Sequence, residues 1–230
     1  KLSKFRGKIL FEKPVGLNLE QTEKIYKIFK KKKNMFVALN RRFYQSILYS
    51  KKLLQNSKEK KFISIYDQEN TFAARKNGHH KSTIKNWMYA NSVHLVDLIK
   101  FFINSKIIKI NKKKTGNKNS SIFETNIKFK NGDIVDFKSF WNRPAPWKIN
   151  ISTKSMFIEL MPIENVSYRT TKKIVNVKDV KFNKKDINYK PGFFMQSEHF
   201  LKELKNKKNN LVDLKQYHQT VLLIKKIFFN

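Results

Sequence analysis

The chain has 230 residues and no cysteine, which excludes a disulfide framework, a thiolate zinc site and a cysteine nucleophile. Apolar residues make up 40% and aromatics 13% of it, enough for a packed core and too many for a disordered chain. Lys and Arg number 50 against 17 Asp and Glu, a formal charge of +33, but only six of the 50 are Arg, leaving 44 Lys. Proteins that read nucleic acid favour the planar arginine fork. The lysines accompany 24 Asn and 20 Phe, a composition that a low-GC genome produces without any partner. They are also scattered, in clusters at 30–33, 58–61, 112–114 and 205–208. Nucleic acid is therefore not the expected partner; a ribosomal-type basic protein is the alternative that charge alone favours. No apolar run approaches the ~20 residues of a membrane span. Lys1–Arg6 does not lead into a signal-peptide core, and a soluble cytoplasmic protein is expected.

Ile9-Leu10-Phe11 reads as a strand, followed by Pro14 and Gly16. Asn18 then caps a helix, with Gln21 in capping-box position and Ile25, Ile28 and Phe29 at helical spacing. Lys30–Lys33 should end it, Asn34 should stop it, and Met35–Leu39 reads as a second strand. Strand, helix and strand in this compass make a parallel βαβ unit. Such a unit needs neighbours on both faces, so strands before it are expected to be missing.

Arg42–Leu54 reads as a helix, Phe62–Tyr66 as a short strand, and the stretch around Gly78, His79 and His80 as a polar loop. A helix follows in which Asn91, His94, Leu95, Leu98, Phe101 and Phe102 share a face. Asn131-Gly132 between Phe123–Lys130 and Ile134–Phe140 is the strongest hairpin signal. Ile149–Ile151, Met156–Leu160 and Ile174–Val177 are further strand candidates. Helices are expected from Phe193 to Leu204 and from Leu214 to Phe228, the second with Asp213 and Gln216 as a capping box. Trp141, Trp147 and the Pro144–Pro146 bend suit packing at a sheet end or an oligomer contact.

Several of these segments, in this order, resemble the Gfo/Idh/MocA oxidoreductases, the family of glucose–fructose oxidoreductase and inositol dehydrogenase. They are Glu12-Lys13-Pro14 after a strand, the capped helix from Asn18, Asn40-Arg41-Arg42-Phe43 after the next strand, and Ser92–Asp97 on a helix. The Phe129–Gly132 hairpin and the Phe193–Phe200 helix complete the set. The resemblance implies an α/β fold: the terminal βαβ of a Rossmann domain in residues 1–40, then an α+β domain with a large, mostly antiparallel sheet in 41–230. It implies hydride transfer between NAD or NADP and a sugar, polyol or nucleotide-sugar, and a homo-oligomer formed through the C-terminal sheet. None of the six glycines forms the Gly-x-Gly-x-x-Gly fingerprint, so the sequence reads as a C-terminal fragment without the pyrophosphate site.

By the same resemblance, Lys13 is the first catalytic candidate, an ammonium able to stabilise a developing alkoxide. Glu12 would orient it or contact the ribose, and Pro14 would fix the turn, with a cis peptide as one form. His94 is the second candidate, a base near neutrality. The family's usual aspartate four residues earlier is Ala90 here, and Asn91 is the nearby group that could bond the ring or the substrate. Asp97 reads first as a structural partner. Glu12, Lys13, Pro14, Asn40 and Arg42 are the expected cofactor contacts, and Lys85, Asn91 and His94 the expected substrate contacts. His79 and His80 have no carboxylate at metal-ligand spacing, so no metal is expected. A non-catalytic scaffold is the third reading, motivated by Ala90 and the absent fingerprint.

Overall fold

The computed structural model describes residues 4–117, 119–171, 174, 175, 180, 184 and 188–229. β1 (Ile9–Phe11) and β2 (Met35–Val37) are parallel and joined by α1 (Leu19–Phe29), as the βαβ pattern requires. β11 (Val212–Asp213) adds antiparallel to the other side of β2, so the small sheet has the order β1-β2-β11. That third strand was not legible: two residues carry no period, and Asp213 reads only as a cap. The cap of α1 forms as expected, with Asn18 accepting from the Gln21 amide. Gln21 reaches back to the amide of Leu17. Asn34 does not stop the helix, whose C-cap is Lys30. Its amide nitrogen instead donates to the carbonyls of Arg6 and Gly7, tying the incoming chain to β2.

Arg42–Leu54 is not one helix. A 3-10 turn, Asn40–Phe43, leads into α2 (Gln45–Leu54), because Tyr44 between them is extended at φ −58°, ψ 133°. β3 runs from Phe62 to Glu69, three residues longer than its apolar pattern. Its buried face is Ile63, Ile65, Asp67 and Glu69, so the strand continues inward with carboxyl groups. The loop that follows contains α3 (Thr71–Lys76) and α4 (Lys81–Lys85), capped by Asn70 and His80. The helix of His94 opens with a π-helical segment, Met88–Ser92, before α5 (Val93–Phe102).

The large sheet has eight strands in the order β10-β9-β8-β7-β3-β6-β5-β4. These are β4 (Ile107–Asn117), β5 (Ser120–Phe129), β6 (Ile134–Trp141), β7 (Lys148–Ser152), β8 (Met156–Leu160), β9 (Ser167–Thr170) and β10 (Ile174–Val175). Positions 176 and 177 of the expected last strand lie outside the described residues. Only β3 and β6 pair in parallel; the other pairs are antiparallel. The Asn131-Gly132 hairpin forms between β5 and β6, with Gly132 at φ 86°. Period-two alternation gives the sheet one apolar face, where Ile63, Ile65, Ile127, Val135, Phe137, Ile149, Ile151 and Ile158 are fully buried. β4, at the edge, is largely exposed and lysine-rich, which discourages pairing with another chain.

α6 (Phe193–Leu204) and α7 (Leu214–Phe228) form with the expected bounds. α7 packs against α1, α5 and both sheets, and the amide of Val15 donates to its fully buried Tyr217 hydroxyl. Arg42 points into this interior. Its Nε and Nη2 donate to Asp97 at 2.5 and 2.8 Å, Thr220 of α7 donates to the same carboxylate, and Phe101 lies under the guanidinium. The ion pair is buried on both sides, so removing one charge strands the other. Arg42→Met should lower stability by about 3–5 kcal/mol. Urea unfolding measures this; a loss below about 1 kcal/mol would show the pair to be idle.

Candidate active site

Parallel β1 and β2 place Glu12-Lys13-Pro14 and Asn40-Arg41-Arg42 at the same edge, the carboxyl end where open α/β sheets bind ligands. The Lys13–Pro14 peptide is cis. From there the half-buried Lys13 crosses to the π-helical segment, and its Nζ donates to the Ala90 carbonyl at 2.6 Å. Burial is the main cause lowering the Lys13 pKa, with Arg41 and Lys190 adding to it against the pull of Glu12 and Glu69.

His94, the second residue of α5, is buried. Arg41 Nη1 lies 3.4 Å from its Nε2, so Nε2 is the acceptor and the ring proton sits on Nδ1. That Nδ1 is buried with no hydrogen-bond partner. Burial, then Arg41, Lys13 and Lys190, hold the His94 pKa well below its ordinary value, so the ring is neutral. The structure therefore brings Lys13 and His94 to one neighbourhood, where Arg41 meets His94 and acts on both.

Arg41 is held by its surroundings. Its guanidinium carbon lies 5.8 Å from the Tyr44 ring centre and 5.5 Å from that of Trp147, and Nη1 also donates to Asn40 Oδ1 at 2.9 Å. Trp147 is fixed in turn by its Nε1, which donates to the Gln68 carbonyl at 2.8 Å. Asn40 donates to the Pro191 carbonyl, drawing the loop before α6 against the turn. Gly192, at φ 79°, allows that approach: a Cβ there would come within 2.3 Å of the Asn40 carbonyl oxygen.

Below this cluster lies a carboxyl pair that sequence reasoning missed. Glu69 accepts from Trp87 Nε1 at 2.5 Å, Asn91 Nδ2 at 2.8 Å and Ser92 Oγ at 3.0 Å, gripping both ends of the π-helical segment. Asp67 accepts from Ser139 at 2.6 Å and lies near enough to Glu69 for each to act on the other's titration. Asp67 Oδ1 is buried without a hydrogen-bond partner, so ionising both groups would set two negative charges side by side in the interior, which favours the protonated form of one of them. Burial, and for Glu69 the charge of Asp67, raises both pKa values, Glu69 strongly. The available signal was a strand alternation, Ile-x-Ile-x-Asp-x-Glu, that carries two acids to core positions.

The remaining expected site residues fall elsewhere. Arg42 is committed to Asp97 and is corrected from a cofactor contact to a structural group: the turn that aims Arg41 at His94 sends Arg42 into the core. Lys85 is exposed at the end of α4, and no hydrogen bond or ion pair joins it to the cluster among the described residues, because two short helices intervene where a loop was expected. Asn91 reaches Glu69 and not the His94 ring. Among the described residues no group of His, Cys, Asp and Glu could hold a metal ion, and no helix is long and apolar enough to cross a membrane.

No protein-family description and no curated protein matches the chain in sequence. Solved structures do match in fold. A dehydrogenase from Chromobacterium violaceum is 13% identical at a TM-score of 0.75, covering 96% of this chain and 68% of that one. UDP-N-acetylglucosamine 3-dehydrogenase GnnA from Acidithiobacillus ferrooxidans is 10% identical at 0.72, covering 96% and 69%. The dehydrogenase MviM from Clostridium difficile is 16% identical at 0.68, covering 96% and 70%. The chain thus has the fold of Gfo/Idh/MocA-type dehydrogenases, over about two thirds of their length. The fold named from the ordered motifs is the fold observed.

The carboxyl pair makes a pH prediction. Its folded pKa values lie above the unfolded ones, so its contribution is whole at acid pH and is lost as pH rises through the folded values. Lys13 is the charged group facing Glu69; its other neighbours are Asp67, Trp87, Asn91 and Ser92. Glu69→Gln keeps the shape and removes the charge that Glu69 would carry beside Asp67. It should match the parent at pH 5 and exceed it in urea resistance at pH 8, by up to about 1.4 kcal/mol for each pKa unit removed. An equal difference at both pH values would show that burial beside Asp67 does not raise the Glu69 pKa.

Proposed function

We propose that these residues are the substrate side, and one edge of the cofactor crevice, of an NAD(P)-dependent oxidoreductase acting on a carbinol of a sugar, polyol or nucleotide-sugar. The observation that carries this reading is the convergence of Lys13, Arg41 and His94 at the carboxyl ends of β1 and β2. The fold shared with dehydrogenases, one of them acting on a UDP-sugar, supports it. Three of the four lysine clusters, 30–33, 112–114 and 205–208, follow α1, lie on β4 and follow α6, a dispersion that does not favour a nucleic-acid surface.

The residues at the crevice edge fit a nicotinamide nucleotide: the ammonium of Lys13 and the exposed carboxylate of Glu12 stand at the ends of two parallel strands, and the buried Asn40 fixes the turn behind them through Pro191 and Arg41. Glu12, Lys13 and Pro14 would hold the nicotinamide end, and the group when bound supplies the hydride acceptor or donor. No Gly-x-Gly-x-x-Gly occurs in these residues, so the grip on the pyrophosphate belongs to a further nucleotide-binding segment.

In this mechanism His94 is the base. Its Nε2 is unprotonated and takes the hydroxyl proton of the substrate, exchanging the Arg41 hydrogen bond for one from the alcohol. Lys13 stays charged and stabilises the negative charge developing on the same oxygen. The Ala90 carbonyl holds its ammonium in place beforehand, which limits reorganisation on binding. Glu69 beneath fixes the segment carrying that carbonyl through Trp87, Asn91 and Ser92.

The test is NAD(P)H turnover by these residues joined to a complete nucleotide-binding half. Lys13→Met should lower kcat by about 10²–10³ and His94→Asn by about 10²–10⁴, with circular dichroism unchanged. Undiminished turnover by Lys13→Met would overturn the reading.

A further inference from the structure

The cluster around His94 holds more positive charge than hydride transfer to a neutral sugar requires. Lys13, Arg41 and Lys190 all act on it, and the facing acids are the exposed Glu12 and the buried pair, whose burial favours the protonated form. Arg41 has no carboxylate partner among the described residues. Its Nε is buried without a hydrogen-bond partner, and its plane is clasped by Tyr44 and Trp147. This differs from Arg42 next to it, which is saturated by Asp97, and from a solvated surface arginine, which is free to turn away. A guanidinium fixed in orientation, with unused donors beside a candidate base, is a receptor for a planar or tetrahedral oxyanion. Lys190 stands on the loop that Asn40 and Gly192 hold against the same turn, a second cation from a different part of the chain.

We propose that Arg41, assisted by Lys190, binds an oxyanion of the substrate, a carboxylate or a phosphate, so that the carbinol being oxidised belongs to an anionic sugar. The inference rests on the oxidoreductase reading and narrows its substrate class. It has a chemical corollary: an anion placed there offsets Arg41 and Lys190, two of the three cations that add to burial in depressing His94, and so raises its basicity when substrate is bound. Lys13 continues to face the ring, and its charge is kept for the alkoxide.

Isothermal titration of the chain separates the cases. D-glucuronate supplies the carboxylate and UDP-N-acetylglucosamine the phosphate, with D-glucose as the neutral counterpart and inorganic phosphate as competitor. One anionic sugar or both should bind saturably at one site, D-glucose at least about tenfold more weakly. Arg41→Gln should weaken the anion about ten- to a hundredfold, Arg41→Lys should recover only part of it, and Lys190→Gln, an exposed change that spares the fold, should weaken it less. Quenching of tryptophan fluorescence should accompany binding and diminish in Trp147→Phe. Equal affinity for D-glucuronate and D-glucose, or an Arg41→Gln variant that binds the anion as the parent does, would overturn the inference, the latter because attraction by the overall charge alone would then suffice. Binding of neither anionic sugar would overturn it too. Turnover of a neutral sugar by the joined chain, lost in Lys13→Met, would leave the oxidoreductase reading standing without it.

Discussion

The buried Arg42–Asp97 ion pair is the constraint on which the site geometry depends. It binds the turn after β2 to α5, and Thr220 extends the link to α7. The two arginines are consecutive in a 3-10 turn, so fixing the inward direction of one fixes the outward direction of the other. Arg41 meets His94 because Arg42 meets Asp97. A pair this deeply buried is weak as a source of net stability, since desolvation offsets most of the attraction. Its value here is placement: the small sheet and the helices over the large sheet are held in one relation by a bond that tolerates little angular error.

Much of the fold was legible because the signals were periodic. The Asn18 cap, the Asn131-Gly132 turn, the inward Ile and Val of the strands and the bounds of α6 and α7 all follow from local chemistry and alternation. What escaped was decided by tertiary context. Tyr44 breaks the reading of one helix from Arg42, and nothing in its neighbours announces an extended residue there. β3 was cut short because Asp67 and Glu69 look like solvated positions, and only the interior they enter makes them otherwise. The pairing of β11 with β2 is non-local and leaves no trace in two residues.

The same division holds for the site. Lys13 and His94 were marked by ordered motifs and were indeed brought near one another. The arginine that joins them was passed over for its neighbour, since Asn-Arg-Arg does not say which guanidinium turns inward. Trp147 was visible only as a bulky residue in a proline-flanked bend, and its part in clasping Arg41 depends on a backbone carbonyl of β3. Ala90 illustrates a different point. The position draws attention through its side chain, yet its use in the structure is its carbonyl oxygen, an atom every residue carries.

The late strand β11 has a consequence for the order in which the molecule can assemble. Until Val212 and Asp213 leave the ribosome, the open margin of β2 has no cover, and neither Tyr217 nor Thr220 is present to meet Val15 and Asp97. The βαβ unit of residues 9–37 must therefore wait through synthesis of residues 38–211 before it closes, exposed to chaperones and proteases in the interval.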